Sequence, residues 1–185
     1  SLHESGLMEV QFSGGEPFLN PATIDMIRYV DDTTEYDIGC ATNLSLLDRS
    51  MIESLSSTRI KLNIQFPSVD AVEFRNITQT GNFYEVRSKL DMCKDNALPF
   101  GLNHVLTENN IGQLPDVVKW AIENEAPLKI LLDIYSSNHR SIVKLVHECL
   151  DNLSYSKIDL KNGSIKWKVQ TSSQSFVMIT FVDSP

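Results

Sequence analysis

Short apolar segments alternate along the chain with segments in which apolar residues recur every three or four positions. The short segments have the length and composition of β-strands: Met8–Phe12, Tyr36–Ala41, Arg59–Phe66, Phe100–Leu106 and Leu128–Tyr135. Helical spacing follows each of them, so the pattern predicts five strand–helix units in series. Such a series is typical of an α/β fold with a parallel sheet covered by helices.

Capping residues mark where several helices are expected to begin. Asp48 and Asn82 each precede an amphipathic segment, and Asn20 is followed by proline, which fits the first turn of a helix. The clearest apolar stripe runs from Ile142 to Leu153. The segment 67–81 shows no such stripe and is predicted to be a long connection.

The pattern changes after Tyr155 to a strict alternation of apolar and polar residues. Three segments alternate in this way: Lys157–Leu160, Ile165–Val169 and Phe176–Val182. Asn162-Gly163 between the first two predicts a tight type I′ hairpin, because both residues tolerate positive φ angles. The tail is therefore predicted to form a small antiparallel meander.

Composition and charge exclude several classes of protein. The chain has 185 residues, and its 16 Lys+Arg against 24 Asp+Glu give a net charge of -8, which argues against binding to a nucleic-acid backbone. No apolar run approaches the roughly 18 residues of a membrane helix. The three cysteines, Cys40, Cys93 and Cys149, are too few and too widely spaced for a disulfide framework. They predict buried thiols in a reducing cytoplasm.

One loop carries most of the chemical information. It follows the first strand directly and consists of Ser13, Gly14, Gly15, Glu16 and Pro17. In parallel α/β folds, ligands bind at the carboxyl ends of the strands. Two glycines allow a ligand to approach the backbone, and a carboxylate can hold an ammonium group. Taken alone, the two glycines also fit a plain strand-to-helix turn.

The longer string Phe12–Leu19 resembles the second-strand motif of the radical S-adenosylmethionine (SAM) enzymes. Later strings resemble further motifs of that family in the family's order: Ala41–Leu44 the Thr-Asn-Gly strand end, Leu62–Gln65 the Ser-x-Asp position, and Asn103–Leu106 the Asn-x-Val-Val stretch. The resemblance covers roughly Met8 to Tyr135. Two departures are Leu44 in place of glycine and Gln65 where aspartate is frequent.

The resemblance implies a partial (β/α)6 barrel of about five parallel βα units, with SAM across the carboxyl ends of the strands and the antiparallel meander behind. It implies that the Gly14–Pro17 loop binds the methionine amino group through backbone carbonyls and Glu16. Side chains of four later residues would lie near the methionine carboxylate or the ribose, namely Thr42, Asn43, Asn63 and Gln65. Asn103 would join them from the fourth strand. His104, its neighbour, points by alternation to the other face and is predicted to be packed between strand and helix.

The family also holds a four-iron cluster through a CxxxCxxC motif, which this sequence lacks. Cys40, Cys93 and Cys149 cannot replace it by spacing. We therefore expect a truncated piece of a longer enzyme that is inactive alone, in which residues 1–7 are a disordered or vector-derived start, 8–154 a partial barrel, and 155–185 a β tail leading to a missing C-terminal domain. The alternative is a natural paralogue without a cluster that serves as a binding or scaffold module.

Within the family, the chain resembles the molybdenum-cofactor biosynthesis protein A type and the related peptide maturases. This resemblance implies either cyclisation of GTP or modification of a ribosomal peptide, so the substrate is a small molecule or a peptide. A barrel that lacks one wall would expose an apolar edge near Met8–Phe12. Two copies of the chain are expected to pair through that edge.

Overall fold

The computed structural model describes residues 8–133, 138–161 and 163–183. In chain order its elements are β1 (Glu9–Phe12), α1 (Thr23–Thr33), β2 (Asp37–Thr42), α2 (Arg49–Ser56), β3 (Ile60–Gln65), α3 (Ala71–Thr78), α4 (Phe83–Asp95), β4 (Phe100–Leu106), α5 (Leu114–Glu123), β5 (Leu128–Leu132), α6 (His139–Asp151), β6 (Ser154–Asp159), β7 (Ser164–Gln170) and β8 (Phe176–Val182). The predicted mixed α/β fold, with mostly parallel strands and antiparallel strands near the C-terminus, is confirmed.

The chain divides into two units. The first comprises the described residues up to Gln65 together with Thr78–Gly101, and the second comprises Phe66–Ile77 and the described residues from Leu102 onwards. Across the described ranges, no helix combines the length and the apolar character that crossing a bilayer requires.

In the first unit, β1, β2 and β3 lie side by side and all run parallel. One face of this sheet is apolar, with Ile38, Cys40 and Leu62 buried. Gln11 lies opposite Gly39, and Ala41 lies opposite Asn63, on the other face. The alternation seen in the sequence therefore separates an apolar packing face from a polar face, because successive side chains of a strand point to opposite sides.

Helix α3 lies within the segment that the sequence predicts to be a connection, so that prediction is wrong. The Asp70 carboxylate accepts a hydrogen bond from the Glu73 amide at 2.8 Å, which caps the first turn. Phe74 is the buried residue of the helix and contacts Phe66 edge-on, at a centroid distance of 6.3 Å. Since one buried aromatic ring holds the helix in place, the sequence shows no apolar stripe there.

The helix predicted after Asn20 begins later than expected. Pro17–Leu19 form a short 3₁₀ turn, and α1 starts only at Thr23. The Asn20 side chain accepts a hydrogen bond from the Ala22 amide at 3.0 Å, so it closes a turn before the helix. By contrast, Asp48 and Asn82 cap α2 and α4 as the sequence predicts.

In the second unit, β4 pairs with β5, and β5 pairs with β8, all in parallel. The antiparallel meander β6–β7–β8 is confirmed, and β8 joins it to the parallel strands. Two predicted features lie outside the described residues: Asn162 of the tight hairpin and the end of the fifth strand at Tyr135. Of the described residues on either side, the Leu160 amide donates to the Ser164 carbonyl at 3.0 Å.

His104 occupies a fully buried position on β4, as predicted. Its Nδ1 lies 3.0 Å from the Phe66 carbonyl oxygen, and burial lowers the pKa of the imidazole. A neutral ring whose Nδ1–H donates to that carbonyl fits these contacts. His104 therefore contributes to packing in the second unit.

A polar contact network fastens the meander to α6. Asp151, at the end of that helix, accepts hydrogen bonds from the Trp167 indole nitrogen at 2.7 Å and from Lys157 Nζ at 2.8 Å. The hydrogen bonds from Lys157 and then Trp167 hold the pKa of Asp151 below its ordinary value. Trp167 is fully buried, so its indole N–H needs this acceptor.

We expect Asp151→Ala to lower the free energy of unfolding by about 1–3 kcal/mol at neutral pH, because the buried indole N–H loses its acceptor. Because the pKa of Asp151 is lowered by folding, its contribution exists above the unfolded value of about 4 and is lost as the pH falls through the folded value. The difference between wild type and variant should therefore shrink in acid. Urea denaturation at several pH values measures this. Glu148→Ala on the same helix is the control, and an equal effect there would contradict the prediction.

Candidate functional site

The loop after β1 exposes its backbone at the carboxyl end of the sheet in the first unit. Gly14 has a φ of 130°, which a residue with a side chain rarely adopts. A Cβ placed on Gly14 or on Gly15 would meet no atom within 4 Å, so both glycines border open space. The backbone of this loop is therefore accessible to a ligand.

Glu16 connects this loop to the end of β2. One carboxylate oxygen accepts a hydrogen bond from the Thr42 hydroxyl at 2.8 Å, and the other accepts from the Asn43 amide at 2.8 Å. The first oxygen also lies 3.4 Å from the Phe18 amide, at the start of the 3₁₀ turn. The structure thus brings together the predicted residues Glu16, Thr42 and Asn43, with the carboxylate as their common partner.

Leu44 has the backbone conformation that favours glycine. Its φ is 63°, its amide donates to the Thr42 hydroxyl oxygen at 3.0 Å, and its side chain is fully buried. The position at which the sequence departs from Thr-Asn-Gly therefore keeps a left-handed turn. The Asn43 side-chain oxygen accepts from the Ser45 amide at 2.8 Å and fixes the same turn.

Asn63 and Gln65 lie on the polar face of β3, as predicted from alternation. Asn63 is half-buried opposite Ala41, and Gln65 is exposed at the end of the strand. Gly39, on the same face, is a further residue that the sequence did not indicate. A Cβ there would lie 1.9 Å from Gln11 Oε1, so the Gln11 amide rests directly on Gly39. A glycine inside a strand pattern is the signal that could have indicated this close approach.

Asn103 belongs to the second unit, where it is half-buried on β4 opposite Lys129 of β5. A row of lysines, not predicted from the sequence, lies on this face. Lys129 pairs with Thr180, and Thr180 pairs on its other side with Lys166. Lys168 is the next residue of β7 on that face, and its ammonium lies 4.1 Å from the centre of the Phe176 ring. Because β5 and β7 are far apart in sequence, only the register reveals the row.

The lysine face is positively charged although the chain is acidic overall. The residues that share it on β5, β7 and β8 include no carboxylate: Lys129, Leu131, Ser164, Lys166, Lys168, Gln170, Phe176, Met178, Thr180 and Val182. No carboxylate of the described residues forms an ion pair with Lys129 or Lys166. The face can therefore attract an anion.

The cysteines do not form a metal site. Cys40 and Cys93 are fully buried in the first unit, and burial raises the pKa of their thiols to about 12 and about 11. Cys149, in the second unit, is half-buried, which is less than predicted, and burial raises its thiol pKa as well. No cluster of three metal-binding side chains occurs within the part of the chain that the structure describes. The cysteines present therefore do not fit an iron–sulfur cluster.

Comparison with known proteins relates the chain to one large family. The profile of the Radical SAM superfamily matches residues 1–121. A GTP 3',8-cyclase of Clostridium perfringens is 26% identical over 128 residues, which are 68% of this chain and 40% of that enzyme. A GTP 3',8-cyclase of Marinobacter nauticus is 30% identical over 129 residues, which are 68% of this chain and 39% of that enzyme. The chain thus spans about two fifths of the length of these curated relatives.

Solved structures show the same fold. Streptococcus suis SuiB bound to S-adenosylmethionine superimposes with a TM-score of 0.67 and 16% sequence identity, over 78% of this chain and 36% of SuiB. At this identity the similarity concerns the fold alone. It agrees with the mostly parallel strands and the antiparallel C-terminal strands described above.

We expect Glu16→Ala to loosen the end of β2. The variant removes the acceptor of the Thr42 hydroxyl, which is buried, so the free energy of unfolding should fall by about 1–3 kcal/mol. Amide exchange of Asn43 and Leu44 should accelerate in NMR spectra. Glu35→Ala is the control, since the Glu35 side chain is 97% exposed. Unchanged exchange at Asn43 would show that the carboxylate does not hold the loop.

Proposed function

The chain belongs to the radical SAM superfamily, and we propose on this basis that it is the SAM-binding part of an enzyme that generates a 5'-deoxyadenosyl radical. The observation that carries the proposal is the Gly14–Gly15 backbone, open to ligand at the carboxyl end of β1 and tied through Glu16 to the end of β2. An accessible backbone beside a carboxylate is suited to a ligand with an ammonium group.

The proposed role of each site residue follows from the donors and acceptors that its hydrogen bonds within the protein leave unused. In this proposal, the methionine ammonium donates to backbone carbonyls of the Gly14–Pro17 loop and to the remaining lone pairs of Glu16. Thr42 already donates to Glu16 and accepts from Leu44, so its role is to hold the loop. The backbone amide of Asn43 donates to Glu16, and its side-chain oxygen accepts from Ser45, so the side-chain nitrogen Nδ2 is proposed to donate to the methionine carboxylate.

The sheet of the first unit supplies the proposed surface for the nucleoside half of SAM. Gly39 is covered by the Gln11 amide, whereas Ala41 opposite Asn63 carries only a methyl group and leaves room on the polar face. Asn63 and Gln65 then offer amides to the ribose hydroxyls.

The four-iron cluster supplies the electron that cleaves the sulfonium of SAM in this chemistry. Cys40, Cys93 and Cys149 do not fit such a cluster, so we derive no step through it. We propose that the cluster is held by cysteines outside the 185 residues, in a protein of the length of the curated relatives. In that protein, residues 8–154 would form the cofactor-binding portion, and residues 155–185 would lead to a further domain. The 185-residue chain alone would then be inactive.

The lysine face favours an anionic substrate over a neutral one. The ammonium groups of Lys129, Lys166 and Lys168 can neutralise several negative charges at once, which a nucleoside triphosphate carries. This preference agrees with the names of the curated relatives, which give GTP as their substrate. The lysine face also supplies basic residues, which the strand ends lack. A ribosomal peptide remains the second candidate, because SuiB, a structure of the same fold, has also been solved bound to its precursor peptide.

We expect Gly15→Val to weaken SAM binding by at least about tenfold in the full-length, cluster-loaded protein. The valine side chain would enter the open space beside the loop without touching protein atoms, and φ at Gly15 is not positive, so the fold should persist. Isothermal titration calorimetry measures the affinity, and thermal denaturation checks the fold.

The control for this variant is Gly112→Val. Gly112 also borders open space, but it lies in the second unit, before α5. Equal SAM affinity of the Gly15→Val protein and wild type would contradict the proposed binding loop. A full-length protein that does not bind SAM at all would instead favour the scaffold alternative.

We expect the 185-residue chain to bind GTP and inorganic tripolyphosphate through the lysine face. Lys129→Gln and Lys166→Gln should each weaken binding roughly fivefold, or about 1 kcal/mol, and binding should weaken with added salt. Lys119→Gln on the outside of α5 is the control, because its side chain is 73% exposed and it pairs with Glu123. If neither Lys129→Gln nor Lys166→Gln weakens binding, the proposed anion site on this face is contradicted.

A further inference from the structure

Lys89 is a lysine in the first unit whose side chain is almost completely buried. It lies on α4, and its side chain is 11% exposed. Its ammonium donates to the carbonyl oxygens of Leu44 at 3.0 Å and Ser45 at 2.7 Å, and to the Glu85 carboxylate at 2.7 Å. An ammonium has three N–H groups, so all three have a partner.

The two carbonyls that Lys89 holds belong to the turn that follows Thr42 and Asn43. Leu44 adopts a φ of 63° there, a conformation that leucine, unlike glycine, disfavours. Such a backbone persists only where its surroundings determine it. Inside the turn, the Leu44 amide is held by the Thr42 hydroxyl; outside it, the Leu44 and Ser45 carbonyls are held by Lys89.

Three consecutive contacts therefore lead from α4 to the glycine loop. Lys89 holds the carbonyl of Leu44, the amide of Leu44 is bound by the Thr42 hydroxyl, and that hydroxyl donates to Glu16. The positive charge of Lys89 also helps to lower the pKa of Asp48, after the larger effects of the Met51 amide and of Ser50. Lys89 thus contacts the chain between β2 and α2 at two consecutive carbonyls.

We propose that Lys89 is a positioning residue for ligand binding: it holds the left-handed turn at Leu44, and through it the amides and hydroxyl that meet Glu16. The conformational part of this inference stands on the contacts above. Its consequence for SAM rests on the proposed function, because Asn43 and Glu16 are the groups proposed to bind methionine. Lys89 itself is covered by the turn and has no free N–H for a ligand.

Lys89→Met tests the inference, since methionine fills the space of the aliphatic stem and offers no donor. In the 185-residue chain, amide exchange from Asn43 to Leu47 should accelerate at least about tenfold in NMR spectra, while exchange in the middle of β3 should stay unchanged. In the full-length, cluster-loaded protein, the Kd and KM for SAM should rise at least about threefold, and kcat at saturating SAM should be unchanged.

Two further variants distinguish positioning from a general loss of stability. Lys89→Arg keeps the charge and several donors, so it should restore most of the SAM affinity. Lys94→Met removes an exposed lysine from the last turn of the same helix and should change neither exchange nor affinity. A Lys89→Met protein that melts earlier but keeps the exchange rates at Asn43 and Leu44 would overturn the inference.

The remaining outcomes separate the inference from the proposed function. Faster exchange with unchanged SAM affinity would overturn the link to ligand binding. A wild-type full-length protein that does not bind SAM would contradict the proposed function and that link together, and the exchange experiment would still decide whether Lys89 holds the turn.

Discussion

The Glu16 carboxylate receives the hydroxyl of Thr42 and the amide of Asn43, and through them it fixes the carboxyl ends of two neighbouring parallel strands. Parallel strands end at the same edge without a hairpin to join them, so their loops need another restraint. A charged acceptor supplies it, because hydrogen bonds to a carboxylate are stronger than those between neutral groups. The open glycines, the 3₁₀ turn and the left-handed turn at Leu44 all adjoin this one side chain.

The two units share a principle of construction although their chemistry differs. In each unit the strands have an apolar face with buried residues and a face that carries polar groups. In the first unit this second face has amides around the small residues Gly39 and Ala41, and in the second it has Lys129, Thr180 and Lys166 in register. Neutral hydrogen-bonding groups suit a nucleoside, whereas lysines suit a charged group. In the proposed function, the first unit therefore binds the nucleoside half of SAM, and the second binds the anionic substrate.

Much of the fold could be predicted from the sequence, because strand alternation and caps such as Asp48 and Asn82 act locally. Helix α3 could not, since a single aromatic residue, Phe74, anchors it. The Gly-Gly-Glu-Pro loop could be recognised from its sequence. The hydrogen-bond partners of Glu16 could not, because they depend on how β1 and β2 are paired. The lysine row was hidden for a similar reason: β8 lies between β5 and β7 in the sheet, yet follows both in sequence.

Trp120 and Trp167 are the two tryptophans of the chain, and both belong to the second unit. Trp120 packs against Phe66 at a centroid distance of 4.7 Å, and Trp167 lies under α6 with His147 against its ring at 5.4 Å. Indole emission therefore reports only on that unit, and a loss of order around the glycine loop would leave the fluorescence spectrum unaltered. Tyrosine signals come from both units, because Tyr29, Tyr36 and Tyr84 lie in the first and Tyr155 lies in the second.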